Sequence, residues 1–248
     1  MQLSMTSYTL GTAQVYQAAA VFTAILTVIS VVSVRVFQKD VKRLAWTISV
    51  INSGLMTLAG MYYLYFIISS DLDFFVMSPK NLQYFEGRTD FSVLVSLWFA
   101  IANIFDLAVG MVYYPKYLGL LTAYVHHSVF IWMMYASTTG DGIFTTLRPF
   151  SLSFCNCLIE ELPTFLLALG SMYAPLRTDL GFGVSFFVLR IVYHAYFFVY
   201  AIKMGVQFTV LVLYTLTLTM HLNWFYAWVT KYGSKMVKVK PEDQKKSI

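Results

Sequence analysis

Four histidines and four charged residues lie inside stretches otherwise suited to hydrocarbon: His126, His127, His194 and His221, with Asp106, Glu160, Glu161 and Arg190. A charge in hydrocarbon costs at least about 2.5–3.5 kcal/mol on insertion scales, so such groups face a protein interior and usually carry a task. Two adjacent imidazoles beside carboxylates suit proton transfer, acyl transfer or metal binding. An imidazole activated by a carboxylate can accept an acyl group or deprotonate an amine, while a guanidinium steadies developing negative charge or a phosphate. The same groups can instead form a buried ion-pair network that fixes helix packing, with Arg190 neutralising one carboxylate. His194 and His221 can each be simple interhelical hydrogen-bond partners.

Helical spacing groups these residues into stripes. Asn103 and Asp106 are three apart. Ser153, Asn156, Glu160 and Thr164 share a face, Arg190 and His194 are four apart, and Tyr214, Thr217 and His221 align. At 1.5 Å per residue, His126 and His127 lie roughly 14–15 Å into their helix, Arg190 roughly 12 Å and His194 roughly 18 Å into theirs, so all can share one layer. His126 and His127 differ by about 100° around the axis, and both reach the interior only if their bisector points inward. Glu160 and Glu161 pose the same question, which spacing leaves open.

The elements that must position these groups are membrane spans. With 58% apolar and only 12% charged residues, and a positive mean hydropathy, the composition is unlike that of a soluble globular domain. The fold class expected is an all-α, polytopic helix bundle of about seven transmembrane helices, over 15–34, 44–68, 91–113, 117–136, 150–173, 182–202 and 207–229. Residues 1–34 form an N-terminal segment and first span, 35–232 the main transmembrane domain, and 233–248 a basic tail. The N-terminal segment lacks the basic region and cleavage site of a secretory signal and is expected to stay attached. Pro163 falls inside the fifth span and predicts a kink. Cys155 and Cys157, two apart on one helix, point to different faces, which argues against a local disulfide or a Cys-rich metal site.

Orientation follows from loop charge. Twelve Lys and Arg fall on one side (Arg35, Lys39, Lys42, Arg43, Lys116, Arg177 and six tail lysines) and four on the other, which favours a cytosolic C-terminus. The net charge of +5 then needs no nucleic-acid partner, because the tail lysines lie next to an anionic leaflet. Lys245 and Lys246 resemble a dilysine retrieval signal, which implies endoplasmic reticulum residence and contact with a coat protein. A solvated charge run is the plainer alternative.

The run FAIANIFDLAVGMVYYPKYLGLLTAYVHHSVF over 99–130, with EELPTFLLALGSM from 160, FFVLRIVYHAYFF from 186 and MHLNWFYAWVTKY from 220, resembles the TLC domain family. The resemblance spans about residues 40–232. By motif position, Asp106, His127 with His126, Glu161 and Arg190 match the family's recurrent polar residues. Ceramide synthases of that family join a fatty acyl-CoA to a sphingoid base, and their histidine pair is held to be catalytic. The resemblance therefore implies catalytic roles for His127, His126, Asp106 and Glu161 and a binding role for Arg190, and the shared polar layer adds Glu160, His194, His221 and Asn103 as candidate binding residues. The segment LSFCNCLIEELPTF lacks the further His-Asp and Ser-Asp elements of ceramide synthases. That favours the TLCD-type branch, implicated in membrane lipid homeostasis.

Three functions are compatible with these residues: a lipid-handling endoplasmic reticulum protein acting on sphingolipid or phospholipid composition, a sphingoid-base N-acyltransferase with acyl-CoA as co-substrate, and a cargo receptor or transporter. No cofactor or metal is expected, since adjacent histidines on a helix make poor co-ligands. Membrane lipids are the expected partners, and self-association is open. A retinal-type photoreceptor is excluded, because residues 207–229 contain no lysine.

Overall fold

A backbone in hydrocarbon must bond to itself, so apolar runs of this length become helices. The computed structural model describes residues 8–69, 79–139 and 150–238, and every regular element among them is helical. In chain order these are α1 (Thr12–Phe37), α2 (Val41–Ser69), the short α3 (Pro79–Phe85), α4 (Asp90–Tyr113), α5 (residues 120–139), α6 (Ser151–Met172), α7 (Asp179–Met204) and α8 (Phe208–Lys238). Lys245 and Lys246 lie outside the described residues.

Six of these helices, α1, α2, α4, α6, α7 and α8, are long and apolar enough to cross a membrane, the complement of a multi-pass membrane protein. The expected count was seven. The helix not among the six is α5, whose apolar run is diluted by His126, His127 and several hydroxyls. It nonetheless joins the two ends of the bundle. Its start follows the Tyr114–Leu118 connection, and near its other end the Thr138 carbonyl accepts a bond from Arg88 Nη1 at 2.9 Å.

Many hydroxyls on the spans are satisfied within their own helix. Thr27, Ser33, Thr47, Ser53, Thr57, Thr215 and Thr219 each donate to the carbonyl four residues back, an arrangement that needs no partner from lipid or a neighbouring helix. The main core gathers aromatic and aliphatic side chains from α2, α4, α5, α6, α7 and α8, among them Tyr63, Phe99, Phe130, Phe154, Phe197 and Leu213. The helix α1 is peripheral and packs chiefly on α4, with Leu26 against Ile101 and Ala102. Apolar side chains such as Val28, Leu58, Ile68, Val112 and Leu216 point outward, as a lipid-facing perimeter requires and a water-facing one does not tolerate in large patches.

Three helices depart from α geometry where the polar residues sit. In α6 a 3-10 turn over Leu158–Glu161 precedes Pro163, the place where a kink was expected. Residues Leu120–Val125 of α5 and Phe186–Tyr193 of α7 are π-helical. Each π segment ends immediately before a histidine, His126 and His194. Such segments recur at functional sites.

The 3-10 turn is pressed directly onto α2 at Gly60. A Cβ there would lie 2.6 Å from Ile159 Cα and Leu158 C and would overlap the Ile159 amide nitrogen, so only glycine admits this approach. The contact fixes the height at which Glu160 and Glu161 enter the interior.

Candidate functional site

Glu160 and Glu161 follow each other in the tight turn and diverge to different partners. The Glu161 carboxylate accepts from Arg190 Nη2 at 3.0 Å, and the same nitrogen donates to Thr164 Oγ1 at 2.6 Å. Arg190 Nε donates to the Glu160 carbonyl at 2.7 Å. That carbonyl would be bonded by the amide of residue 163 in a continuing 3-10 turn, but proline has none to offer. Arg190 is buried, and its bonds satisfy both the charge of one glutamate and the freed carbonyl of the other.

The Glu160 carboxylate turns to the histidines. His194 Nδ1 lies 2.9 and 3.0 Å from its two oxygens, and His194 Nε2 lies 3.1 Å from the Tyr214 carbonyl. A carbonyl only accepts, so Nε2 carries a proton and donates it. His221 Nδ1 sits 3.7 Å from Glu160 and donates to the Arg190 carbonyl at 3.0 Å. These groups form a continuous buried network over α6, α7 and α8.

The second half of the layer is built from α4 and α5. His127 Nδ1 stands 3.6 Å from Asp106 Oδ2, close enough for an ion pair but not for a good hydrogen bond. Asp106 Oδ1 accepts from the Tyr114 hydroxyl at 2.7 Å. Tyr114 reaches back eight residues because the chain turns there against Gly110, whose missing side chain leaves room for the ring. Spacing alone did not point to Tyr114. His126 packs its ring on Phe130, at 4.6 Å between centroids, and meets the edge of Trp224 at 5.3 Å.

Both members of each adjacent pair therefore face inward, each to a different neighbour. Asn103 is buried on the same layer, one turn before Asp106, and lines a small polar cavity with Asn52, Asp106, His127 and Glu161.

A larger cavity of about 370 Å³ lies toward the end of the bundle where α1 meets α2, α4 meets α5 and α6 meets α7. Its walls carry Asp106, His126, His127, Thr164 and Arg190, with aromatic rings from Trp46, Tyr117, Phe182, Phe186 and Trp224. The basic residues Lys42, Arg43, Lys116 and Arg177 belong to the same end. On the far side of His126 a narrow apolar cavity of about 50 Å³ continues between Phe99, Phe130, Met133, Leu213 and the Glu160 network. His126 lines both cavities. Three buried polar atoms on the larger cavity's residues, His126 Nδ1, His127 Nδ1 and Trp224 Nε1, have no hydrogen-bond partner among the described residues.

Cys155 and Cys157 do point to different sides. Cys155 is buried against the Ser92 carbonyl at 3.8 Å, whereas Cys157 faces the narrow cavity, 3.7 Å from the Tyr214 hydroxyl. Compared with models of known families, with curated proteins and with solved structures, the chain matches none.

Proposed function

We propose that the chain is a TLC-type, lipid-handling membrane protein that holds a lipid headgroup in the cavity around His126, His127, Asp106 and Arg190. The observation that carries this reading is the lining of that cavity. Its volume of about 370 Å³ is in the range of small-ligand sites, which combine apolar walls with a few convergent polar groups. Two of its polar atoms, His126 Nδ1 and Trp224 Nε1, have no partner among the described residues, and a buried donor or acceptor left unmade costs about 1–3 kcal/mol, which a bound headgroup would recover. Basic residues at the same end favour a headgroup that carries phosphate or another anion. Under this reading α5 is a seventh span, the basic end faces the cytosol, and the protein resides in the endoplasmic reticulum, where it acts on phospholipid or sphingolipid composition.

A second reading, acyl-CoA-dependent N-acyl transfer to a sphingoid base, is favoured by one specific contact. His127 and Asp106 stand as an imidazole and a carboxylate at 3.6 Å, a distance that can tighten when substrate binds. Native mass spectrometry of the purified protein, paired with an assay using acyl-CoA and sphingoid base, separates the two. Retained phospholipid, lost in His127→Ala and without amide product, supports lipid handling. Amide product abolished by the same substitution promotes the transferase. Neither bound lipid nor product would sink both.

A further inference from the structure

Cys157, Glu160 and His194 present a thiol sulfur, a carboxylate oxygen and an imidazole nitrogen that all lie within 4.8 Å of one another. We propose that these three residues hold a divalent transition-metal ion of the zinc class, with a fourth position open to the narrow apolar cavity. This centre is independent of lipid binding at His127.

Local backbone geometry brings the donors together. Cys157 and Glu160 are three residues apart across the 3-10 turn Leu158–Glu161, and in that geometry side chains at i and i+3 eclipse. The imidazole arrives from α7, at the end of its π segment. Glu160 and His194 are buried, and Cys157 is half-buried where it lines the cavity.

The orientation of His194 is a second, separate observation. Its Nε2 proton is committed to the Tyr214 carbonyl, so in the neutral ring Nδ1 bears the lone pair. That lone pair faces both oxygens of Glu160 at 2.9 and 3.0 Å. Lone pairs so placed repel unless a proton or a cation lies between them. Metal-ligating histidines almost always give their other N–H to a carbonyl or carboxylate in just this way, which fixes the tautomer.

Charge and size also fit. A thiolate and a carboxylate together cancel a divalent ion, so the loaded site is neutral, which a low-dielectric interior favours. Bond lengths of about 2.0–2.2 Å to nitrogen and oxygen and about 2.3 Å to sulfur put tetrahedral donors roughly 3.3–3.6 Å apart, a closure that side-chain rotation supplies. Binding displaces the thiol proton and the proton shared by Glu160 and His194. The cavity beside the three residues, about 50 Å³, has room for a water as fourth ligand.

The full chain, purified in detergent from zinc-supplemented cells and washed with a chelator, is assayed by elemental analysis. About one zinc per chain is expected for a four-coordinate site, unchanged in Cys155→Ser and at least about tenfold lower in Cys157→Ser. Another first-row ion at the same stoichiometry, with the same dependence on Cys157, also supports the site. Cobalt added to metal-free wild-type protein gives a second readout that needs no variant, a thiolate-to-cobalt charge-transfer band. Absence of both metal and band, or metal content unaffected by Cys157→Ser, overturns the proposal. Either result leaves the headgroup cavity untouched, because its walls contain neither Cys157 nor His194.

Discussion

The guanidinium of Arg190 is tied to the main-chain carbonyl of Glu160 at 2.7 Å, while the carboxylate of that same Glu160 turns away to His194. One residue thus links two helices through its backbone and a third group through its side chain. Breaking a buried ion pair by removing one partner costs about 3–5 kcal/mol, because the other charge is left uncompensated. Arg190→Met is therefore expected to lower the unfolding free energy by about that amount. The double variant Arg190→Met with Glu161→Gln recovers part of it. Denaturant unfolding of the two variants in lipid nanodiscs measures the difference, and equal stabilities would deny that Glu161 is the residue left exposed to the loss.

Tyr114 holds Asp106 at 2.7 Å through its hydroxyl. Phenylalanine keeps the ring that packs on Leu44 and Ala45 but removes the donor. A hydrogen bond to a charged group is worth about 1.5–3 kcal/mol, so Tyr114→Phe is expected to lose that much stability. It also frees the Asp106 carboxylate to rotate toward His127. An imidazole nitrogen resonance that fails to move in Tyr114→Phe would argue against coupling between the pair.

The long apolar runs made six spans legible, with ends foreseen to within a few residues, as for 91–113 against Asp90–Tyr113, except that α8 continues to Lys238, past the expected end at 229 and into the stretch read as a tail. The layer of polar groups was legible too, because rise per residue converts position into depth. Partner choice was not. A reading based on 3.6 residues per turn cannot see the 3-10 turn at Leu158–Glu161 or the π segments before His126 and His194. For that reason Glu160 and Glu161 could not be assigned to His194 and Arg190. Tyr114 escaped notice because it belongs to a connection and reaches Asp106 only once the chain has turned. The dilution of α5 by His126 and His127 is the same feature that made it chemically interesting and leaves it less apolar than the six long helices.

Trp224 offers a test in which stability and binding move separately. Its indole N–H is buried beside the cavity and has no partner among the described residues, while its ring meets His126 edge-on. Trp224→Phe retains an aromatic ring and removes an unmade donor, so stability should hold or rise by about 1 kcal/mol. If a headgroup oxygen takes that N–H, affinity for the lipid falls by roughly 2- to 13-fold, the equivalent of about 0.5–1.5 kcal/mol. Thermal unfolding together with lipid retention on native mass spectrometry reads both. A variant that loses stability and keeps its lipid would place the indole in packing alone.

Gly60 carries the placement of the whole glutamate pair. Its α-carbon abuts the backbone of Leu158 and Ile159, and backbone cannot rotate aside as a side chain can. Gly60→Ala must push α6 away from α2, and overpacking of this kind costs about 1–3 kcal/mol. In an exposed helix the same exchange would gain up to about 1 kcal/mol from better helix propensity, so the sign of the effect is itself diagnostic. Displacing the turn moves Glu160 and Glu161 together, so bonds to His194 and Arg190 should weaken in the same variant. Unfolding measurements showing Gly60→Ala as stable as the parent, with lipid and metal content preserved, would mean the turn does not depend on this contact for its height in the bundle.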